Sequence, residues 1–202
     1  MNQQREFPDW EKLYQEGQIE SMPWFNPNLD SDLEQALIKL SIHTGVALDL
    51  GTGPGTQAME LAQRGFLLTA TDISATAINQ AQAKAQQKGL DISFRQDDIL
   101  NSRLPHEEFD FVFDRGCFHI LSPERRQDYV RVVQSLIKSK GYLFLKCFSH
   151  LEKSEFGPYR FTPESIKHIF LNRFRVISVE ETVYQGTLDP DPQALFCILE
   201  KS

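Results

Sequence analysis

Cysteine is scarce in this sequence, and what there is does not pair. Cys117, Cys147 and Cys197 are odd in number and far apart, with no C-x-x-C spacing. A disulfide framework is therefore not expected, and a reducing, cytoplasmic setting is. Metal-ligand spacing is missing too. The five histidines form no H-E-x-x-H, and the close pair Cys117 and His119 has no further ligands nearby, so no metal is expected. No apolar run approaches the length of a membrane span, and the start, MNQQREFPDW, lacks the apolar core of a signal peptide. Positive charge is not in excess: 21 Lys and Arg face 28 Asp and Glu, a net charge of −7, which makes long nucleic acid a poor partner. The pair Arg125-Arg126 reads as a solvated helix face. There is no internal repeat and no low-complexity tract. What remains, 202 residues with 41% hydrophobic and 24% charged, suits one domain with a sizeable core.

Against that background one stretch stands out, VALDLGTGPGT (Val46 to Thr56), followed about twenty residues later by LTATDIS (Leu68 to Ser74). The order is strand, glycine turn, helix, second strand, acid. Such an order lays a nucleotide-type ligand across the carboxyl ends of a parallel sheet. Gly51, Gly53 and Gly55 allow tight turning and close approach of backbone to ligand. The following helix offers free N–H groups at its start. Asp72 can accept from the two vicinal hydroxyls of a ribose. The dinucleotide fingerprint G-x-G-x-x-G requires a glycine where Thr56 stands, and Asp49, just before the first glycine, faces a positive group better than a pyrophosphate.

The rest of the chain alternates. Residues 1–44 read as a helical extension, with Trp10, Leu13 and Tyr14 on one face, Gly17 as a stop, an aromatic loop at Ser21 to Asn28, and a second helix from about Asp30 to Ser41. Residues 45–202 read as the catalytic domain. Its strands are expected at Val46–Leu50, Phe66–Thr71, about Asp91–Arg95, Phe109–Asp114, a fifth opened by Gly141, about Phe174–Val183, and a last one at ALFCILE. Ser74, Ser122-Pro123-Glu124 and Thr162-Pro163-Glu164 are helix-start signatures. The final two strands have no room for a crossover helix, so they pair antiparallel. The fold expected is α/β: a doubly wound, Rossmann-like, seven-stranded, mainly parallel sheet with an antiparallel C-terminal hairpin strand and an N-terminal helical lid.

The run D-L-G-T-G-P-G with Asp49 and Asp72 in register resembles motif I of the class I S-adenosylmethionine (SAM)-dependent methyltransferases, and the likeness extends from residue 46 to the C-terminus. The resemblance implies SAM as cofactor and S-adenosylhomocysteine as product. It implies that Asp98 binds the adenine amine, with the neighbouring Asp97 as the alternative, and that Ile99 and Ile73 cover the two faces of the ring. The segment DRGCFHIL corresponds to motif IV, beside the transferred methyl. There Asp114 is expected to orient the methionine amino group, Phe118 to stack near the sulfonium, and His119 to accept a proton from a substrate. Cys117 reads as packing, because no neighbouring base is evident.

A narrower pattern joins Tyr14-x-x-Gly17, Pro23-Trp24, LDLGTGPG, DRGCFH and GPYRFTPES (Gly157–Ser165). It is similar to a branch that includes thiopurine S-methyltransferase, tellurite-resistance, thiol or halide, and heterocyclic-toxin methyltransferases. The chain departs from thiopurine methyltransferase in its shorter insertions and its N-terminal tryptophan pattern. The branch implies a small-molecule acceptor with a soft sulfur, selenium or tellurium nucleophile. The alternatives are O- or N-methylation, a non-catalytic SAM-binding protein, methylation of a nucleic acid or protein, and an NAD-type oxidoreductase, with Thr56 and the C-terminal hairpin weighing against the last. Tyr14, Trp24, Phe25 and Tyr159 are the aromatics expected to form a lid over a small apolar acceptor. A monomer or weak homodimer is expected, with neither a nucleic-acid nor a membrane partner.

Overall fold

The structure, a computed structural model, describes residues 5–154 and 156–202. Its helices are α1 (Trp10–Glu16), α2 (Ser31–Lys39), α3 (Thr56–Gln63), α4 (Ala75–Gln87), α5 (Arg126–Leu136) and α6 (Pro163–Phe170). Its strands are β1 (Val46–Leu50), β2 (Leu67–Asp72), β3 (Ile92–Gln96), β4 (Phe109–Arg115), β5 (Ile137–Ser149), the two-residue β6 (Arg160–Phe161), β7 (Phe174–Val183) and β8 (Gln193–Lys201). One sheet runs in the order β3-β2-β1-β4-β5-β8-β7, with β6 beside the end of β5. All neighbours are parallel except β8, which is antiparallel to both β5 and β7. This is the doubly wound sheet with an antiparallel C-terminal pair, and it turns β7 so that its carboxyl end lies on the same edge as that of β5. Between β1 and β4 the strand order reverses, which opens a crevice at their carboxyl ends.

Alternation along the strands sorts side chains into two layers. Leu48, Val112, Leu143 and Leu145 face α5 and α6, where they meet Val133, Ile166 and Phe170. Ala47, Phe111, Phe113 and Phe144 face the other side, against Leu33 and Leu37 of α2 and Leu61 of α3. Both faces are buried, so these strands read as near-continuous apolar runs. The helix starts follow the sequence in part. Asp30 caps α2 through Asp32 and Leu33, Ser74 caps α4 through Ala77, and Thr162 forms a full capping box with Ser165. Ser122 makes no cap bond: its helix begins with a 3₁₀ turn at Pro123–Arg125 and only then becomes α5. Gly141 does not open β5, which leaves α5 directly at Ile137; the glycine instead lets β5 pass close to β4, since a Cβ there would lie 2.6 Å from the Asp110 carbonyl oxygen.

The segment expected as one extension, residues 1–44, divides in two. Helix α2 is part of the sheet's helical layer, through Leu33, Ala36 and Leu37. Only the stretch before it reaches over the carboxyl edge. A buried charge cluster pins that stretch: Lys146 Nζ of β5 lies 2.7 Å from Asp30 Oδ2 and 2.7 Å from Asp32 Oδ2, and Arg115 Nε donates to Asp30 Oδ2 at 3.0 Å. Arg115 also donates to the carbonyl oxygens of Trp24, at 2.9 Å, and Gln185. No helix among the described residues is long and apolar enough to cross a membrane.

Candidate active site

A cavity of about 1200 Å³ opens along the carboxyl edge of the sheet. That exceeds the roughly 300–1,000 Å³ usual for one small ligand, and it has two chemically different ends.

The first end lies over β1, β2 and β3, where the glycine loop closes against its surroundings. Gly51 has φ +67° and Gly53 φ +49°; a Cβ on Gly51 would lie 2.2 Å from Cys117 Sγ, and one on Gly53 2.5 Å from the Tyr14 hydroxyl oxygen. Gly55 is the N-cap of α3, in the left-handed region. Asp72 lines the cavity, and its two carboxylate oxygens accept from Gly53 N and Ser74 N, each at 2.9 Å. Burial pushes its carboxyl up, against the pull of those donors. The carboxylate keeps acceptor capacity for a ligand. Ile73, Asp97, Asp98 and Ile99 also line this end. Asp98 accepts from Leu100 N at 3.0 Å and from the Asn101 amide at 2.9 Å, whereas Asp97 accepts from Arg103 N through Oδ1 and its buried Oδ2 has no partner.

Asp49 does not line the cavity. It is buried beneath the loop, takes the Thr52 hydroxyl at 2.5 Å, and burial pushes its carboxyl up to about 6. There it holds the glycine loop through Thr52, away from the cavity surface where it was expected. Asp114 requires the same correction. Its carboxylate is fully buried on the α5 side and accepts from Gly116, Cys117 and Phe118 N–H groups and from the Tyr129 hydroxyl at 2.5 Å. Burial raises its carboxyl to about 6 despite these four donors. Asp114 shapes the turn after β4, and its carboxylate does not line the cavity where it was expected. Phe118 points away from the cavity, into an aromatic cluster with Tyr129, Phe161 and Phe170.

The second end lies over β4, β5 and β7. Its floor is His119, Phe148 and Tyr184, with His119 stacked on Tyr184 at 5.7 Å and edge-on to Phe148 at 5.2 Å. The Arg115 guanidinium covers the other ring contact of Tyr184 at 4.4 Å, and the Tyr184 hydroxyl donates back to the Arg115 carbonyl at 2.6 Å. His119 is buried, and burial, aided by the Arg115 charge, lowers its pKa to about 3. The Phe148 N–H donates to His119 Nδ1 at 3.3 Å, which assigns the remaining proton to Nε2. His119 is thus a neutral hydrogen-bond donor on the Gly116 side, not the proton acceptor expected. Cys117 lines the cavity, but burial and the nearby Asp114 carboxylate push its thiol well up, which leaves it a packing group.

Of the expected lid aromatics, Tyr14 and Trp24 line the cavity. Trp10 meets Trp24 edge-on at 5.8 Å. Phe25 packs with Ile19, Met22 and Ala77 instead. Tyr159 lies behind the wall: its N–H donates to the His119 carbonyl, Arg126 covers its ring at 5.0 Å, and its hydroxyl accepts from Arg5 N. Sequence reasoning missed Arg115, Phe148 and Tyr184. The signal was there: Arg115 closes β4 beside Asp114, and Phe148 and Tyr184 end or follow β5 and β7, strands to which the carboxyl-edge rule was not applied.

Comparison with known proteins agrees with this geometry. A methyltransferase-domain family model matches residues 47–141. An uncharacterized methyltransferase of Schizosaccharomyces pombe is 31% identical over 115 residues, 57% of this chain and 79% of the relative. The chain belongs to the SAM-dependent methyltransferases. Thiocyanate methyltransferase 1 of Brassica oleracea is 25% identical over 178 residues, 87% of this methyltransferase and 77% of the relative. A solved structure described as the conversion of a disulfide bond into a thioacetal group during echinomycin biosynthesis shares the fold, with TM-score 0.83 and 21% identity over 96% of this chain and 92% of that one. So does the Burkholderia thailandensis 1,6-didemethyltoxoflavin-N1-methyltransferase with bound S-adenosylhomocysteine, with TM-score 0.70 and 18% identity over 85% and 77%. The methyltransferase's own residues fit SAM. The first end offers carboxylates to the hydroxyl and amino donors of adenosine, and the unpartnered Asp97 Oδ2 lies among them.

Proposed function

We propose that this enzyme methylates a sulfur nucleophile on a small molecule. The observation that carries this reading is the setting of His119: it is buried and its Nδ1 accepts a backbone N–H, which together with its lowered pKa makes it a poor base near neutral pH. A hydroxyl acceptor must lose a proton during transfer. A thiol already has a few per cent of thiolate at pH 7 and is intrinsically nucleophilic, so it needs no base. The similarity to thiocyanate methyltransferase 1 favours the same reading.

In this proposal Asp72 accepts from the ribose hydroxyls, the Asp97–Asp98 pair from the adenine amine, and Ile73 and Ile99 cover the ring. The chemistry supplied by bound SAM is an activated methyl on a cationic sulfur, which leaves with the bonding pair as neutral S-adenosylhomocysteine. Tyr14 and Trp24 close the acceptor end and exclude water. His119 Nε2–H and the aromatic floor fix the acceptor's orientation. Orientation matters because well-aligned intramolecular reactions gain about 7–11 kcal/mol over their bimolecular counterparts.

A matched pair such as 4-butylthiophenol and 4-butylphenol, each incubated with methyl-labelled SAM, tests the reading. Labelled thioether is expected from the first and little or no ether from the second. Ether formed faster than thioether would replace sulfur with oxygen as the acceptor atom.

A further inference from the structure

Seven large apolar side chains stand exposed among the described residues, and four of them line the one cavity described above. Ile73 belongs to the adenine side. The other three, Leu151 at 47%, Phe156 at 85% and Leu188 at 47%, surround the outer mouth of the acceptor end. They come from two separate loops, β5–β6 and β7–β8, so no single run of sequence places them together. Holding an aromatic ring almost wholly in water beside two exposed leucines is costly unless something covers them.

The charges at that mouth narrow what covers them. Glu6, Glu152, Asp189 and Asp191 line it, against Lys153. Arg115 reaches the cavity as well, but its guanidinium nitrogens are taken by Asp30 and the Trp24 and Gln185 carbonyls. A small inorganic anion would meet four carboxylates and no available guanidinium. An uncharged apolar body would meet leucine and phenylalanine.

We infer that the mouth formed by Leu151, Phe156 and Leu188 is an outer subsite for an uncharged aliphatic or aromatic extension of the methyl acceptor. The acceptor's reacting atom lies inside, at the His119–Phe148–Tyr184 floor, and its apolar extension leads outward. This rests on the methyltransferase reading and names the acceptor's shape and charge, whichever atom is methylated.

The test is kcat/KM for linear alkanethiols from ethanethiol to octanethiol, for 4-alkylphenols of matched chain length, and for thiocyanate and iodide, all with labelled SAM. The subsite predicts a rise of about fourfold per methylene, the gain for a buried CH₂, and anions at least a hundredfold below hexanethiol. The double variant Phe156→Ser, Leu188→Ser should shrink the octanethiol-to-ethanethiol ratio about tenfold. A profile flat with chain length, anions turned over as fast as long thiols, a slope unchanged in the double variant, or no transfer to any member while S-adenosylhomocysteine still binds would each overturn it. A rising slope among phenols with no thioether formed would uphold the subsite and overturn the sulfur proposal, so the two fail separately.

Discussion

The two ends of the cavity, which we propose hold the cofactor and the acceptor, are built on opposite principles. The cofactor end is made of short local motifs: each acid or glycine sits within a few residues of the strand end that positions it, and its chemistry is that of carboxylates and backbone N–H groups. The acceptor end is assembled from five places in the chain, the N-terminal stretch, the turn after β4, the end of β5, and the β5–β6 and β7–β8 loops. Its chemistry is aromatic and apolar, with a single committed imidazole. Local motifs make the cofactor end robust to change elsewhere. Long-range assembly makes the acceptor end depend on whatever ties the segments together, and that tie is the buried cluster of Lys146, Arg115, Asp30 and Asp32.

The largest effect is therefore expected where the tie is cut. Lys146→Met leaves the half-buried Asp32 without its cation and Asp30 with Arg115 alone, which should cost about 3 kcal/mol in urea unfolding. A loss below about 1 kcal/mol would mean that water replaces the lysine and that the acceptor end needs no such clamp. At the cofactor end, Asp72→Ala should weaken S-adenosylhomocysteine binding by about 1.5–3 kcal/mol, the worth of a hydrogen bond to a charged group, while the acceptor end keeps its shape. Calorimetric titration reads this directly, and unchanged affinity would take Asp72 out of the site.

His119 links the comparison to pH. Its folded pKa, about 3, lies below the ordinary imidazole value of 6.5. Between those values the unfolded chain binds the proton and the folded chain does not, so stability is full above about 6.5 and falls as pH drops toward 3. The fall attributable to this group is about 1.4 kcal/mol per pH unit, and it should vanish in His119→Asn when unfolding free energies are compared from pH 7 to pH 5. Parallel curves for the two proteins would mean that the imidazole is protonated in the folded state. The smallest effect belongs to Trp24→Ala, which should raise the acceptor KM by up to about tenfold, or 1.4 kcal/mol, with cofactor affinity nearly intact. Equal weakening of both ligands would make Trp24 part of the common core.

The same contrast explains what could be read from the sequence. Strand positions, the antiparallel C-terminal pair and the placing of Gly51, Asp72, Ile73, Asp98 and Ile99 along the cavity edge were legible, because hydrophobic period and motif spacing report local structure. Asp49 and Asp114 were misplaced for one reason: a carboxylate at a strand end looks the same whether it faces ligand or turns inward to hold a loop, and only the alternation of layers with the Thr52 and Tyr129 hydroxyls decides it. His119 was legible as a cavity residue but not as a donor, since its tautomer is set by Phe148, twenty-nine positions away. Phe25 and Tyr159 were mistaken for lid residues because aromatic type does not reveal which side of a wall a ring occupies. Lys146 was not singled out: a lone cation in the apolar strand YLFLKCF implies a buried partner, and only the fold shows that partner to be the cap of α2.

The central claim is that the acceptor end orients its substrate and supplies no base. The pH profile of kcat/KM for an alkanethiol in His119→Asn, beside the unaltered enzyme, tests this most directly. The account predicts a loss of less than about tenfold and the same pH dependence in both, set by ionisation of the thiol itself. A loss of about 10²–10⁴ with S-adenosylhomocysteine binding intact, together with disappearance of an ionisation present in the unaltered enzyme, would contradict it and make His119 a general base.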